Sequence, residues 1–426
     1  MPDYFESKRD VEHDPASGPR SPKLRSGLAL CLSGGGYRAA LFHLGGLSRL
    51  NELGVLSKVD TFSCVSGGSI LGAYLARLIK DGYEPVDGVY PDWWAKVVEG
   101  FLPVVKQNIR TGPVLRQAKF WKKGVGPESL AKHYEAITRG MSLSDLPERP
   151  NFVFCATNLV FGNSWVSSKT RVGDYISGYV SPPPASWTVA KAVAASSCFP
   201  PAFLPMPTGI PAADYRKHDG TPPDDDLNSW REGVGLSDGG VYDNLGLEPV
   251  WKSHKTILVS DGGAPMKPKA PWGPATLLRY SSVLTNQIGA VRKRWLIDIY
   301  ERNEEHQPDT FNGTYWGIES ATRRYDENAR YGYSKKLAKF TIATVRTDLD
   351  LFTPNECWVL IKHGYELADI ALRTHEPRIM AKDPPRRTWS PALLDEAKVG
   401  EALRASGKRR YLFVRSSDGN DNLVKG

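Results

Sequence analysis

Residues 31–46 read CLSGGGYRAALFHLGG, and this stretch decides the fold. It closes a short apolar run, GLALCLS (27–33), and three glycines then lead into apolar residues at helical spacing. A buried strand that turns through glycines into a helix is typical of α/β proteins. Backbone N–H groups at the amino end of a helix attract negative charge. The stretch therefore predicts an α/β domain with an anion site at its first turn.

A second strand-to-helix passage, TFSCVSGGSILGAYLARLIK (61–80), repeats the arrangement. Strands that alternate with helices predict a parallel sheet with helices on both faces. We therefore predict a three-layer α/β/α fold with a mixed, largely parallel central sheet. Further strands are predicted at 152–159, 234–238, 255–261 and 339–347, and further helices at 186–197, 275–303 and 354–374.

Composition and charge set limits on the whole chain. Of its 426 residues, 41% are hydrophobic and 24% charged, as in ordinary globular proteins, and the net charge of +8 favours anionic partners. We expect a flexible tail over 1–26, one catalytic domain over 27–375 and a basic extension over 376–426. The basic stretches come without a nucleic-acid-binding signature, so we expect no nucleic-acid partner.

Targeting and metal signals are missing from the sequence. The five cysteines form no CxxC pair, which argues against zinc or redox motifs, and no metal is expected. The polar N-terminus lacks a signal peptide, and no apolar run approaches about 18 residues. We expect a cytoplasmic protein that can contact an anionic membrane surface peripherally; the oligomeric state is left open.

Two readings of the glycine stretch compete at this point. Gly34, Gly36 and Ala39 fit the G-x-G-x-x-G/A dinucleotide fingerprint, which leaves a non-catalytic dinucleotide or lipid sensor open. That fingerprint also requires an acidic residue at the end of the next strand to bind a ribose. Asp60 lies before that strand, so it does not fit this position. A phosphate-binding P-loop fails because no Gly-Lys-Ser/Thr follows the glycines.

The end of the second strand carries a serine instead. Ser66 lies in CVSGG (64–68) at a strand-to-helix turn, where a nucleophile elbow would expose its hydroxyl at the edge of the sheet. The pattern departs from G-x-S-x-G because Cys64 replaces the first glycine. Such a turn places the positive end of a helix dipole beside the hydroxyl.

Two further strands end in Asp-Gly-Gly. Asp238 ends VGLSD (234–238), and Asp261 ends KTILVSD (255–261). A carboxylate at the carboxyl end of a strand would meet Ser66 if the strands are parallel. Asp243 and Asn244 follow Asp238 and are suited to cap the next helical turn, whereas a proline-rich stretch follows Asp261, so we favour Asp238.

Together the motifs SGGGYRA, VSGGS and DGGVYDN, with AASSCFPPAF (194–203), resemble the patatin-like phospholipases and the related cytosolic phospholipase A catalytic domain. The resemblance implies a Ser–Asp dyad without histidine, in which Ser66 forms an acyl-enzyme and Asp238 accepts its proton. It implies a lipid acyl hydrolase of phospholipase A type that acts on a phospholipid or another acyl ester without any cofactor.

The same resemblance assigns roles to the glycine stretch. Gly34, Gly35 and Gly36 would form the oxyanion hole, with the N–H groups of Gly35 and Gly36 as the main donors. Arg38 would face the oxyanion or a substrate phosphate. A Ser-His-Asp esterase stays open as an alternative, and its candidate histidines are His254, His306, His363 and His375.

Overall fold

A single mixed sheet organises the computed structural model, which describes residues 25–120, 124–216, 227–266, 272–273, 276–304 and 310–404. The expected N-terminal tail therefore falls almost wholly outside the described residues. The strands of these ranges are β1 (Leu28–Leu32), β2 (Thr61–Val65), β3 (Asn151–Asn158), β4 (Asn163–Ser167), β5 (Val172–Asp174), β6 (Gly178–Val180), β7 (Met206–Pro207), β8 (Gly235–Asp238), β9 (Thr256–Asp261) and β10 (Asn312–Gly317).

Helices surround this sheet, and most of them connect strands. They are α1 (Gly36–Glu52), α2 (Gly67–Lys80), α3 (Gly100–Val105), α4 (Thr111–Phe120), α5 (Val125–Thr138), α6 (Val189–Ser197), α7 (Leu227–Glu232), α8 (Gly240–Asp243), α9 (Thr276–Glu304), α10 (Lys335–Phe340), α11 (Pro354–His375), α12 (Pro391–Leu394) and α13 (Glu396–Arg404).

The sheet is parallel in one half and antiparallel in the other. Its order is β10-β9-β1-β2-β3-β4-β5-β6, with β8 against β3 and β7 against β8. Neighbouring strands from β10 to β3 run parallel, whereas β4 to β6 and the β8 pairings are antiparallel. The sheet is mixed, as predicted, but its antiparallel part is larger than expected.

Both faces of β1 are buried, which explains its uninterrupted apolar sequence. Leu28, Leu30 and Leu32 pack into the larger core with α1, α2 and α11, while Ala29 and Cys31 pack into a second core with α9. Side chains alternate between the faces of a strand, so the two cores lie on opposite faces. This is the three-layer α/β/α arrangement that the sequence predicts.

The helices α1 and α11 approach each other closely on the larger core. A Cβ on Gly45 would fall on the carbonyl oxygen of Ile361, and one on Gly364 would fall on that of Phe42. Glycine at both contact points lets the backbones meet. Arg49 of α1 adds a buried ion pair with Asp369 of α11, with Nε 2.8 Å from the carboxylate.

Two regions differ from the sequence expectations. Residues 339–347, expected as a strand, contain the end of α10 and the 3₁₀ turn Ile342–Thr344, while the strand of this region is β10. The core also continues past the expected boundary at residue 375, since Leu393, Val399 and Leu403 are buried in it. The basic residues after 404 lie outside the described residues.

The segment after β2 and α2 contains a turn of π-helix, Trp94–Glu99, that continues into α3. Val97, Val98 and Phe101 of this segment are fully buried in the larger core. The segment therefore packs on the domain. Within the described part of the chain, no helix combines the length and apolar character needed to cross a bilayer.

Candidate active site

Ser66 occupies the turn between β2 and α2 in a conformation rare for a residue with a side chain. Its φ is 49° and its ψ is −112°, and it is the residue that precedes the first turn of α2. Its neighbours leave no room for larger residues, because a Cβ on Gly67 would fall on the Gly36 carbonyl and one on Gly68 on the Leu32 carbonyl. Such strain in a tight strand-to-helix turn is typical of a nucleophile elbow.

Asp238 meets Ser66 through an end-to-end arrangement of two strands. Val65, the last residue of β2, pairs with Cys155 of β3, and Asp238, the last residue of β8, pairs with Ala156. The other edge of β3 pairs with β4, so β8 continues along the edge that β2 leaves free. Contrary to the parallel arrangement expected from the sequence, β8 is antiparallel to β3, and it reaches Ser66 because it approaches from beyond the end of β2.

Burial gives Asp238 an unusual proton affinity. The residue is 2% exposed, and this burial raises the pKa of its carboxyl to about 7. Hydrogen bonds from the Gly240 N–H (2.7 Å) and from the Ser66 hydroxyl lower the pKa and offset part of the burial effect. A carboxylate with a pKa near neutrality, in contact with a serine hydroxyl, is suited to accept that hydroxyl's proton.

Asp261, the second Asp-Gly-Gly candidate, lies in a different environment. Its carboxylate accepts hydrogen bonds from Tyr315 Oη (2.6 Å) and Gly263 N–H (2.8 Å), and Lys293 Nζ lies 3.2 Å away. Burial alone would raise its pKa, but Lys293 and these donors lower it below the usual value. Asp261 is thus a poor base with its hydrogen-bonding capacity already used, in contrast to Asp238.

The carboxyl end of α6 contacts Ser66 and Gly239, the residue that follows Asp238. This contact is not predicted from the sequence. Ser196 Oγ accepts a hydrogen bond from the Ser66 N–H (2.9 Å), and its carbonyl accepts one from the Gly239 N–H (3.3 Å). Ser69 Oγ lies 2.8 Å from Ser196 Oγ and completes the contact. Ser196 belongs to the AASSCFPPAF motif, which was the available signal.

The glycine turn offers two backbone donors next to the elbow. Gly35 (φ 139°) and Gly36 (φ 58°) begin α1, and in the described part of the chain their N–H groups donate to no acceptor. The N–H of Gly34 differs from the expectation, since it donates to the Asn244 carbonyl (3.1 Å). Gly34 instead lets the glycine turn lie close to Ser66, because a Cβ on it would lie 3.3 Å from Ser66 Cβ. The N–H groups left without an acceptor among the described residues are those of Gly35 and Gly36.

Arg38 departs from the expectation that it faces substrate. It is 1% exposed, and its Nε and Nη2 donate to the Gly262 carbonyl at 3.2 and 2.7 Å. Its Nη1 donates to the carbonyls of Ala343 and Val345, both at 2.9 Å. The guanidinium links α1 to the loop after β9 and to the segment after α10 through buried backbone carbonyls.

Asn244, which the sequence suggests only as a cap, lies where three glycine turns converge. A Cβ on Gly240 would lie 2.6 Å from its Oδ1, one on Gly263 would lie 3.0 Å from its Nδ2, and one on Gly34 would fall on Oδ1. Its neighbour Asp243 does the capping, accepting hydrogen bonds from three N–H groups at residues 245, 247 and 248. The expected fixation of the loop after Asp238 is thus present.

The described candidate histidines bond away from the serine. His254 Nε2 lies 3.1 Å from Thr61 Oγ1 at the start of β2, the opposite end from Ser66. His363 is buried on α11 with Nε2 bonded to the Ile318 carbonyl (2.8 Å), and burial lowers its pKa to about 4. His375 packs edge-on against Tyr325, and His306 lies outside the described residues. Over the ranges described, no cluster of His, Cys, Asp or Glu could hold a metal ion.

Comparison with known proteins identifies a family. The model of the family described as patatin-like phospholipase matches residues 30–251, just over half of the chain, and this range contains the glycine turn, Ser66, Ser196 and Asp238. No curated protein matches the sequence.

Two solved structures align with the chain at low identity. Human GIVD cytosolic phospholipase A2 is 15% identical with a TM-score of 0.44, and the match covers 88% of this chain and 61% of that one. VipD from Legionella pneumophila is 14% identical with a TM-score of 0.31, covering 84% and 68%. The chain thus spans less than two thirds of the length of the human protein.

Proposed function

Since the chain belongs to the patatin-like phospholipase family, we propose that it hydrolyses acyl esters of lipids through an acyl-enzyme on Ser66, with Asp238 as the base. Membership supports lipid acyl hydrolysis at the level of the family. The observation that carries the finer proposal is the buried Asp238 carboxyl, with its pKa raised to about 7, beside the strained serine turn. The phospholipid substrate, the cytoplasmic location and peripheral membrane contact belong to the same proposal.

The acylation step follows from the contacts. Asp238 takes the proton of the Ser66 hydroxyl as Oγ attacks the acyl carbon, and the carbonyl electron pair moves onto oxygen. The N–H groups of Gly35 and Gly36, at the positive end of α1, would stabilise that oxyanion. When the intermediate collapses, the ester C–O bond breaks and the leaving alkoxide takes the proton from Asp238.

Deacylation repeats the sequence with water. Asp238, again ionised, takes a proton from a water molecule that attacks the acyl carbon, and Ser66 leaves with that proton. A base with a pKa near 7 is suited to both directions, because it gives up the proton as readily as it accepts it. Ser196 would keep the turn of Ser66 fixed relative to Asp238 through both steps.

A covalent probe tests the nucleophile. We expect a fluorophosphonate to label the protein on Ser66, and Ser66→Ala to abolish both labelling and hydrolysis of a short-chain ester while circular dichroism stays unchanged. Activity above a few per cent in the folded variant would remove Ser66 from the mechanism. A binding protein that uses the glycine turn without turnover would give no labelling.

A matched pair of aspartates tests the base. Asp238→Asn should lower kcat/KM by at least about 10³, or roughly 4 kcal/mol of barrier. Asp261→Asn makes the same chemical change at the other Asp-Gly-Gly strand end and should cost less than about tenfold. The reverse ranking would assign the base to the wrong strand, and two mild effects would favour a histidine base.

A further inference from the structure

Helix α9 is much longer than the strands that it connects. It leads from β9 to β10, which are parallel neighbours, so it begins at the carboxyl edge of the sheet and ends at the amino edge. Its 29 residues span about 43 Å, whereas the six residues of β9 span about 20 Å. About half of the helix must therefore extend past one edge of the sheet.

Contacts fix which half extends. Leu296, Ile299 and Tyr300 are buried against the second core, and Tyr300 Oη donates to the Ile257 carbonyl (2.7 Å) near the start of β9. Lys293 pairs with Asp261 at the carboxyl end of the same strand. Residues 276–291, which we call the overhang, consequently lie beyond the edge that carries Ser66.

The overhang carries an apolar stripe that is exposed among the described residues of the domain. Tyr280, Leu284, Ile288 and Val291 recur at intervals of four, four and three residues and are 62%, 66%, 39% and 55% exposed. That spacing places them on one face of the helix. Where the overhang's side chains are described, none is buried. Trp272, just before the helix, is 87% exposed.

The charged residues in the first 22 residues of this helix are all basic. No acidic residue occurs over residues 276–297, and the basic ones are Arg279, Arg292, Lys293 and Arg294. Arg292 and Lys293 face acidic groups of the domain, whereas Arg294 is exposed close to the stripe. Apolar and aromatic side chains flanked by basic ones are suited to a surface with an apolar interior and anionic head groups.

Other exposed apolar side chains lie at the same edge of the sheet. Leu159 follows the carboxyl end of β3, and Phe199 follows the carboxyl end of α6, whose Ser196 contacts the site. They are 47% and 48% exposed. Leu159 and Phe199 thus add exposed apolar side chains at the edge of the sheet beyond which the overhang extends.

We propose that the overhang, with Trp272, docks this chain on the anionic phospholipid surface of a membrane and turns the Ser66 edge toward the lipid. The advantage of docking for catalysis rests on the proposed function, but membrane binding itself does not require hydrolysis. Helices with such a face lie in the interfacial plane, and Trp and Tyr favour that depth because their rings are apolar with a polar group. A lipid ester would then enter the site without crossing water.

Vesicle binding tests the proposal independently of hydrolysis. We expect full-length Ser66→Ala protein to co-sediment with phosphatidylcholine vesicles that contain phosphatidylglycerol, and less with vesicles of phosphatidylcholine alone. Leu284→Ser, Ile288→Ser and Val291→Ser, combined in that protein, should lower the partition coefficient by at least about tenfold, since each removes apolar area from the contact.

A matched triple variant controls for general loss of surface hydrophobicity. Val86, Phe340 and Leu394 are also exposed, at 62%, 68% and 57%, on other elements. Their replacement by serine should leave vesicle binding within about twofold. Equal loss in both triple variants, equal binding to both vesicle types, or binding unaffected by the stripe variant would each overturn the proposal.

Two further readouts separate the remaining outcomes. With Ser66 intact, the stripe variant should hydrolyse a monomeric short-chain ester at the unaltered rate but vesicle lipid more slowly. No ester hydrolysis in any protein would contradict the proposed function and leave the binding result standing. A dimer in analytical ultracentrifugation that the stripe variant abolishes would assign the face to a second copy and overturn docking.

Discussion

The raised pKa of Asp238 bears both on the proposed catalysis and on the stability of the fold. This pKa is about 7 in the folded protein against an ordinary value of 3.8. Between these two pH values, the carboxyl is protonated in the folded protein and ionised in the unfolded chain. If Asp238 is the base, kcat/KM for an uncharged ester should rise with pH and level off above an apparent pKa near 7. A midpoint near 4 would show that the base is a carboxylate in a more polar environment.

The same shift predicts how stability depends on pH. Because the folded pKa is raised, the contribution of Asp238 is most favourable below about pH 4 and is lost as pH rises through about 7. A shift of about three pKa units corresponds to about 4 kcal/mol. The difference in unfolding free energy between wild type and Asp238→Asn should therefore move in favour of the variant by up to about that amount between pH 4 and pH 8, measured in urea. A constant difference would contradict the shifted pKa.

Arg38 illustrates a residue whose identity is evident in the sequence and whose role is not. Its replacement by alanine leaves the carbonyls of Gly262, Ala343 and Val345 without their donor. We expect Arg38→Ala to lower the unfolding free energy by about 3 kcal/mol or more. Turnover of a phospholipid and of an uncharged ester should fall by similar factors, and a selective loss on the phospholipid would restore the anion-binding role.

Among single residues, the sequence identifies the candidate catalytic residues more readily than the residues that position them. Ser66 and Asp238 are recognisable because glycines follow each at the end of an apolar run. Ser196 is not, since a serine inside a helix of small residues carries no local sign that its hydroxyl accepts an N–H from elsewhere. The burial of Arg38 depends on segments some 300 residues away in sequence.

Among the elements, the contact between α1 and α11 makes the sharpest prediction. Gly364→Ala would place a methyl group on the Phe42 carbonyl, so we expect a loss of about 1–3 kcal/mol of unfolding free energy as the helices separate. Gly289→Ala is the matched control, because a Cβ there meets open space in the middle of α9. That variant should be neutral or slightly stabilising. Equal effects at the two glycines would contradict the close approach.

The elements themselves were predictable where length or periodicity was strong. The runs that became β1, β2, β3 and β9 are apolar and flanked by glycine or polar turns. Residues 339–347 show the limit of that approach, because their Thr and Val content favours a strand while packing makes them helix and turn. The direction of β8 was equally hidden, since four residues of strand carry no mark of which neighbour they join.

For the molecule as a whole, the C-terminal helices belong to the domain. A chain that ends at residue 375 loses the buried Leu393, Val399 and Leu403, and also the Leu393 carbonyl that accepts a hydrogen bond from Tyr333. We expect it to be at least about 4 kcal/mol less stable to urea than a chain that ends at residue 404. Equal stability of the two chains would return the boundary to residue 375.

The register of β2 and β8 on strand β3 determines the spacing between Ser66 and Asp238. Both residues lie at strand ends that pair with neighbouring residues of β3, since β2 ends opposite Cys155 and β8 ends opposite Ala156. Residues inserted in the connections that lead into β2 and β8 should therefore leave the spacing of Ser66 and Asp238 unchanged. One residue inserted between Cys155 and Ala156 would instead move the two apart by about 3.4 Å and reverse which face one of them addresses. Insertions should thus be tolerated in the connections before β2 and β8. They should not be tolerated at the peptide bond between Cys155 and Ala156, although neither residue takes part in the proposed reaction.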